Sequence, residues 1–345
     1  MKTMVQRERF GSHLGLERIG HVCDALGNPQ EDFRCIHIAG TSGKGSVSAL
    51  LSGVLRRSGF KVGTFTSPHL VNYSERFQVN GVPIDDETLE EVVGRAEVAC
   101  KEVESMYPQF GPVTEFELAT AVAFLYFQKV QVDLAVIETG LGGRLDSTNI
   151  VKPILTVITT IGLDHQDRLG STLQEIAVEK GGIIKEGVPI ISGVQAPIAE
   201  ATLKHIAEEK SAQWRSTKDV PWVGHGWSLA GGNLTFPGIG SVRTGLLGTH
   251  QLQNAATALM ALLELRGLGF TIPLASILEG FENVVWPGRL EVVSRDPFIL
   301  LDGAHNEEGM TALAESLGQL QHEVGEQFTL LFGMLNNKNL DLLDP

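Results

Sequence analysis

The sequence predicts an α/β protein with a mostly parallel sheet, and three observations lead to that class. Short apolar runs suited to strands alternate with longer stretches whose apolar residues recur at i, i+3, i+4 and i+7. Glycine is frequent, 39 of 345 residues, as tight loops between such elements require. Hydrophobic residues make up 43% of the chain and charged residues 20%, enough apolar surface for a large core. At about 150 residues per domain, the length suggests two domains.

The elements follow in order. Cys35–Ala39 reads as a buried strand. A Gly-rich turn comes next, then a helix with the stripe Val47, Leu50, Leu51, Val54 and Leu55, ending at Gly59. Lys61–Phe65, Asp133–Glu138 and Ile154–Thr160 read as further strands. Residues 86–106, opened by Asp85 or Asp86, and residues 115–130 read as helices. Ser171-Thr172-Leu173-Gln174 has the form of a capping box that opens another helix. Residues 222–243 break the pattern with many glycines, Trp222, Trp227 and Phe236, and read as a small antiparallel hairpin region. A helix follows from about Gln251 to Gly267. Val285–Leu290 is the expected boundary between a first domain, 1–285, and a second, 286–345. Beyond it, Pro297–Leu301 (strand), Glu307–Gln321 (helix) and Gln327–Phe332 (strand) begin a second α/β unit. This unit is Rossmann-like but too short for a full doubly wound domain, since one βαβ unit takes roughly 30 residues.

Composition excludes several classes. The net charge of −14 argues against a nucleic-acid partner, while leaving room for a local basic pocket. Cys23, Cys35 and Cys100 are widely spaced and form no C-x-x-C, which fits a reducing cytoplasm rather than a disulfide or zinc scaffold. The charged N-terminus has no apolar run behind it, so it does not read as a signal peptide, and no apolar stretch is long enough to span a membrane. No heptad seam is visible, so a monomer is expected.

The strongest chemical signal is Ala39-Gly40-Thr41-Ser42-Gly43-Lys44-Gly45-Ser46 between a strand and a helix. Backbone N–H groups in such a turn converge on an anion, and Lys44 adds a point charge. It departs from the strict phosphate-loop pattern: Ile38 stands five before Gly43, and Gly45 stands where Ser or Thr is usual. A bland Gly-rich turn would have no use for Lys44. Thr66-Ser67-Pro68-His69 follows the next strand; Ser67 can reach a metal on the phosphates, although such a run is also ordinary turn chemistry. Glu138 ends an apolar strand ahead of Gly140, Gly142 and Gly143, the usual place for a Mg²⁺ ligand; its bland alternative is a solvated carboxylate. Arg144 can brace an anion or form a surface ion pair. His165 falls after a further strand on the same sheet edge and can ligate a second metal, against the structural role of most lone histidines. Lys180, read by spacing alone, is an ordinary helix lysine.

Together, residues 39–46, 66–70, 138–149, 159–165, 179–183, 248–258, 286–291 and 302–306 resemble, in order, the folylpolyglutamate synthase/dihydrofolate synthase branch of the Mur ligase family. The resemblance runs from about residue 11 to 345, and its loops are those of the folate branch rather than of the cell-wall ligases. It implies a P-loop-type ATPase domain in which Gly43, Lys44, Gly45 and Ser46 hold the ATP phosphates. Ser67, Glu138 and His165 would be Mg²⁺ ligands, with two ions implied. Lys180 matches a lysine that is carbamylated in this family. Asn254 would touch the nucleotide, and Arg289 and Asp302 would reach ATP from the linker and second domain. His305 would face the cleft as a catalytic residue beside Lys44 and Lys180. Leu14–Arg18 and Thr114–Glu117 match segments near the pterin pocket.

The implied reaction joins L-glutamate to the carboxylate of tetrahydrofolate, dihydropteroate or both through an acyl phosphate, using ATP as co-substrate. Ser42 and Ser147 stand where the family commonly has Asn and Ala. The family's second domain runs roughly twice as far, so a chain ending at Asp344-Pro345 is expected to be truncated and to ligate glutamate poorly. The alternatives are another Mur-type amino-acid ligase, or a nucleotide-binding protein or fragment without ligase activity.

Overall fold

The computed structural model describes residues 7, 15–325 and 327–333. Its elements begin with α1 (Glu17–Ala25), β1 (Arg34–Ala39), α2 (Lys44–Arg57), β2 (Val62–Phe65), β3 (Phe77–Val79) and β4 (Val82–Pro83). They continue with α3 (Asp86–Met106), α4 (Glu115–Val130), β5 (Leu134–Glu138), β6 (Leu155–Ile158), α5 (Gln166–Leu169), α6 (Leu173–Gly181), β7 (Ile190–Ser192), α7 (Pro197–Glu209) and β8 (Trp214–Ser216). Then come β9 (Val223–Ser228), β10 (Gly231–Phe236), β11 (Gly240–Thr244), α8 (Thr249–Gly267), α9 (Leu274–Glu282), β12 (Glu291–Arg295), β13 (Phe298–Leu301) and α10 (Glu307–Val324).

An eight-stranded sheet has the order β4-β3-β2-β5-β1-β6-β7-β8. Strands β2 to β8 of that order run parallel, and β3 and β4 close one edge antiparallel. The central strands are apolar on both faces because helices cover both. Cys35, Ala135 and Ile137 face a core with α1, α3 and α4, while Ile36, Ile38, Leu134 and Val136 face α2, α8 and α9. Helix α8 is apolar nearly all round because it lies between the sheet and the β9–β10–β11 hairpins.

Helix starts follow local chemistry. Asp85 caps α3 by accepting from the Thr88 N–H at 2.8 Å. The box that opens α6 is Thr172 with Glu175, one residue later than Ser171 and Gln174. The Glu175 carboxylate accepts from the N–H of both Ser171 (2.8 Å) and Thr172 (3.1 Å), which a neutral Gln174 could not do as strongly.

The C-terminal part differs from expectation. Strand β13 pairs antiparallel with β12, which the sequence did not reveal, so the unit starts as a hairpin rather than a parallel crossover. Residues 327–333 form no strand. Phe328 instead packs on Phe298, with ring centroids 6.0 Å apart, at a small core of Trp227, Leu247, Leu290 and Leu320. Its side chain is spent on packing, and the described residues give that segment no ladder to join. Helix α10 docks on β9: Gln319 Nε2 donates to the Trp227 carbonyl at 2.7 Å, and the Leu229 N–H donates to Glu323 at 3.2 Å. Cys23, Cys35 and Cys100 are buried free thiols, with burial pushing the Cys35 and Cys100 pKa values up to about 12. Among the described residues no helix is long and apolar enough to cross a membrane.

Candidate active site

The strand order β2-β5-β1-β6 brings four of the sequence signals side by side at one sheet edge. Ser67 follows β2, Glu138 ends β5, the Gly40–Ser46 loop follows β1, and Asp164 and His165 follow β6. Ligands gather beyond the carboxyl ends of parallel strands because loops and helix starts converge there. The loop is sewn to the chain after β6. The Thr41 N–H donates to the Thr160 carbonyl at 2.7 Å, and Thr159 Oγ1 donates to the Ser42 carbonyl at 2.6 Å.

Two glycines here are required by contact. Gly43 caps α2 at φ +88°, and a Cβ on it would lie 2.2 Å from Asn254 Oδ1. A Cβ on Gly45 would lie 2.5 Å from the Trp286 ring. Trp286 thus explains why Gly45 replaces the usual hydroxyl residue.

Lys44 Nζ donates to the carbonyls of Gly40 (3.1 Å) and Thr41 (3.3 Å) and lies 4.0 Å from Glu138 Oε1. Glu138 is 4% exposed, and its Oε2 is buried without a partner. Burial pushes its pKa up to about 7, against the pull of Lys44 and Arg289. Lys180 is 5% exposed and donates to the Gly40 carbonyl at 2.9 Å. Burial, then the Lys44 charge, lowers its pKa to about 7, against Asp164 and Asp146. Two amines therefore converge on the Gly40 carbonyl, with the Glu138 carboxylate 4.0 Å from one of them.

The opposite wall comes from the linker and the C-terminal part. Asp302 accepts from the N–H of Leu290 (2.8 Å) and Ala304 (2.7 Å), clasping the linker to the 302–306 loop. Arg289 Nη1 donates to the Gly288 carbonyl at 3.3 Å, and the guanidinium lies over Gly303, whose Cβ would come within 2.2 Å of it. His305 Nδ1 donates to the Gly303 carbonyl at 2.8 Å. Two contacts bridge the walls: Asn306 Nδ2 donates to Asp164 Oδ2 at 2.9 Å, and Ser42 Oγ donates to Glu308 Oε2 at 3.3 Å. Burial raises the Glu308 pKa, while the Ser42 bond lowers it.

Gly43, Lys44, Gly45, Ser46, Ser67, Glu138, His165, Lys180, Asn254, Arg289, Asp302 and His305 all line one cavity of about 620 Å³. His165 starts the short α5 at φ +50°, its side chain 48% exposed and 4.0 Å from Asp164. The described residues hold no group of three His, Cys, Asp or Glu side chains spaced for a metal. What fits a hard cation is the bare Glu138 oxygen beside the loop. The far end of the cavity includes Gly15 and Thr114–Glu117, and the buried Arg18 pairs with Glu117 at 2.9 Å. Arg144 forms a surface ion pair with Glu179 at 2.7 Å, its bland reading. Sequence reasoning missed Arg76, His250 and Glu308, which also line the cavity. Glu308 is in the first turn of α10, where an acidic residue is ordinary helix chemistry, so the sequence carried no cue.

A family profile for the Mur ligase middle domain matches residues 38–262. The dihydrofolate synthase/folylpolyglutamate synthase of Bacillus subtilis is 42% identical over 339 residues, covering 96% of this chain and 78% of that protein. The folylpolyglutamate synthase of Lacticaseibacillus casei is 38% identical over 340 residues, covering 96% of this chain and 77% of its own length. Among solved structures, the Thermotoga maritima folylpolyglutamate synthase superposes with a TM-score of 0.88 at 33% identity, covering 99% of this chain and 80% of that one. An FPGS–AMPPCP–folate complex superposes with a TM-score of 0.84 at 35% identity, covering 92% and 80%. The chain belongs to the Mur ligase family, in its folylpolyglutamate synthase/dihydrofolate synthase branch.

Proposed function

We propose that this chain is an ATP-dependent acid–amino-acid ligase that joins L-glutamate to a carboxylate of tetrahydrofolate, dihydropteroate or both. The observation that carries the reading is the meeting of the Lys44 loop, buried Glu138 and buried Lys180 at one sheet edge, opposite Arg289, Asp302 and His305. In this reading Gly43, Lys44, Gly45 and Ser46 hold the phosphates of ATP, and Asn254, Arg289 and Asp302 reach the nucleotide. Ser67, Glu138 and His165 would hold Mg²⁺, which supplies positive charge to the phosphates when bound. Lys180 is the candidate for carbamylation: its pKa of about 7 leaves much of the amine neutral, the form that takes up CO₂. Bicarbonate should then raise activity where occupancy is incomplete.

The bound acid's carboxylate oxygen attacks the γ-phosphorus in line, and ADP leaves. Lys44 offsets the charge that develops on the transferring phosphoryl group. The glutamate amine then attacks the acyl phosphate carbonyl, phosphate leaves, and the amide forms. The protein's main work is to hold anions together that would otherwise repel. In this reading 1–285 is the ATP- and pterin-binding domain and 286–345 the linker and second domain, which contributes Arg289, Asp302 and His305 to the cavity. A reducing cytoplasm agrees with the three buried free thiols.

The test is phosphate release and amide formation with dihydropteroate and with tetrahydrofolate side by side. The ligase reading expects phosphate release to require both an acid and glutamate. Release that ignores both, or nucleotide binding with no amide formed, overturns it.

A further inference from the structure

A hydrogen-bonded chain beneath the phosphate loop is not used by the reaction above. His37 is in β1, on the face toward α4, and is fully buried. Its Nε2 is 2.8 Å from Thr148 Oγ1, and its Nδ1 is buried without a partner. Thr148 Oγ1 is in turn 2.5 Å from Asp146 Oδ1. Asp146 lines the cavity, and each of its oxygens already receives a backbone N–H: Oδ1 from Thr148 at 3.0 Å and Oδ2 from Leu141 at 2.8 Å.

The direction of the chain follows from proton counting. Burial raises the Asp146 pKa, but the Leu141 N–H and the N–H and hydroxyl of Thr148 bond to and favour its charged form, which can only accept, so the one hydroxyl proton of Thr148 goes to Asp146. The Thr148 oxygen then accepts from His37, which must carry its proton on Nε2. Nδ1 is left as a bare lone pair, in agreement with its lack of a partner. A second ring proton would face no acceptor in a dry core. Burial also holds the His37 pKa far down, near 3, with the Lys185 charge adding to it.

The far end of the chain supports the site. The loop from Gly140 to Asp146 folds around the Asp146 carboxylate. The same stretch is tied to α6, which carries Lys180. The Arg144 N–H donates to the Glu179 carbonyl at 2.6 Å, and Asn149 Nδ2 donates to the carbonyls of Arg144 (3.0 Å) and Gly182 (3.1 Å). We propose that His37 is a positioning residue: from the core it orients Thr148, and through Thr148 it orients Asp146, holding the 140–146 loop and the Lys180 helix at the phosphate site. The catalytic part of this proposal rests on the ligase reading; the proton arrangement does not.

The first experiment needs no activity. In the full chain labelled with ¹⁵N-histidine, and assigned by the His37→Gln difference, His37 should show a neutral ring protonated on Nε2. A ring protonated on Nδ1, or a charged ring at neutral pH, overturns the proposal even if the chain ligates nothing.

The second experiment compares three variants. His37→Gln restores a donor near the Nε2 position, His37→Met does not, and Thr148→Val removes the middle hydroxyl. The Met and Val variants should each lower kcat by roughly tenfold, the scale of lost outer-shell partners, with KM for ATP changing less. The Gln variant should recover most of that loss. The His37→Met/Thr148→Val double variant should be no worse than either single one, since both break the same chain. Additive losses, a Met variant with unchanged kcat, or a Gln variant no better than Met would each overturn the role. If His37→Met fails to fold, Thr148→Val carries the kinetic test from the loop side. A wild-type chain with no ligase activity would sink the function reading and leave the tautomer measurement to decide this one.

Discussion

Lys44, Glu138 and Lys180 are held on the sheet side of the cavity, while Arg289, Asp302 and His305 are held by a docked hairpin and helix. On the sheet side, β1 is paired on both edges, to β5 and β6, so the loop after it and Glu138 beside it are fixed by backbone ladders within a large core. On the other side, β12 and β13 form a two-stranded sheet, and the core beneath them is Trp227, Leu247, Leu290 and Leu320. Across the cleft that wall is joined by side-chain bonds such as Asn306–Asp164 and Ser42–Glu308. The first wall is placed by structure that cannot move without breaking the sheet. The second is placed by a few contacts whose net worth is about 1 kcal/mol each. Substitutions on the two walls should therefore fail differently: chemistry is lost on the first, affinity and closure on the second.

The largest expected effect is at Lys44. Lys44→Ala removes a charge that meets the γ-phosphate in the proposed reaction, and turnover should fall by a factor of about 10² to 10³. Among the described residues Lys44 bonds to loop carbonyls and faces Glu138, so the melting temperature should change little. Arg289→Ala on the other wall should instead raise KM for ATP more than it lowers kcat. Steady-state kinetics of both variants beside thermal melts tests the contrast; a folded Lys44→Ala chain with near-normal kcat would break it.

Glu138 should show stability and activity moving in opposite directions. Its pKa is about 7 in the folded chain, well above the ordinary carboxylate value. The folded state thus binds the proton more tightly than the unfolded state. Stability falls as pH rises from the ordinary value, and the loss is complete above about 7. Glu138→Gln cannot ionise, so its advantage over the wild type should grow through that window and reach the order of 3 kcal/mol at most. Turnover should drop by about 10²-fold above about pH 7, where the wild-type carboxylate is charged and the amide is not. Melting curves across pH check the sign: a Glu138→Gln chain no more stable than wild type in mild alkali would mean that the burial cost is met by something else.

How far each wall was legible follows from the same difference. The strand–loop–helix around Lys44 is local, and periodicity with a lysine in a Gly turn reveals it. Glu138 and His165 were readable because each closes or follows an apolar run, and parallel strands deliver such ends to one edge. The roles of Lys180 and Asn254 came from the resemblance alone, since a buried lysine on a helix has no local signature. The hairpin partner β12 was missed, and Gln327–Phe332 was wrongly read as a strand. Strand propensity says that a segment fits a pleated surface, and only a neighbour makes it a strand. Glu308 and the His37–Thr148–Asp146 chain were invisible because their meaning lies in contacts between distant segments.

The smallest effect is expected at Asn306, and it isolates the contact between the walls. Asn306 has two jobs: its Nδ2 reaches Asp164 at 2.9 Å, and its Oδ1 caps α10 by accepting from the Gly309 N–H at 2.9 Å. Asn306→Asp keeps the cap, because Asp caps a helix about as well as Asn. It also replaces the cross-cleft donor with a carboxylate facing Asp164. The helix should stay formed while the two walls repel, so KM for ATP should rise by about 3- to 10-fold, the scale of one lost hydrogen bond, with kcat nearly unchanged. Asn306→Ala loses the cap as well as the bridge. Salt separates the two causes: screening at about 1 M should recover part of the affinity of the Asp variant, whose defect is charge repulsion, and none of that of the Ala variant. A wild-type KM for Asn306→Asp beside a raised KM for Asn306→Ala would assign the effect to the helix cap, and the second wall would then be held by the Trp227–Leu320 core without help from the bridge.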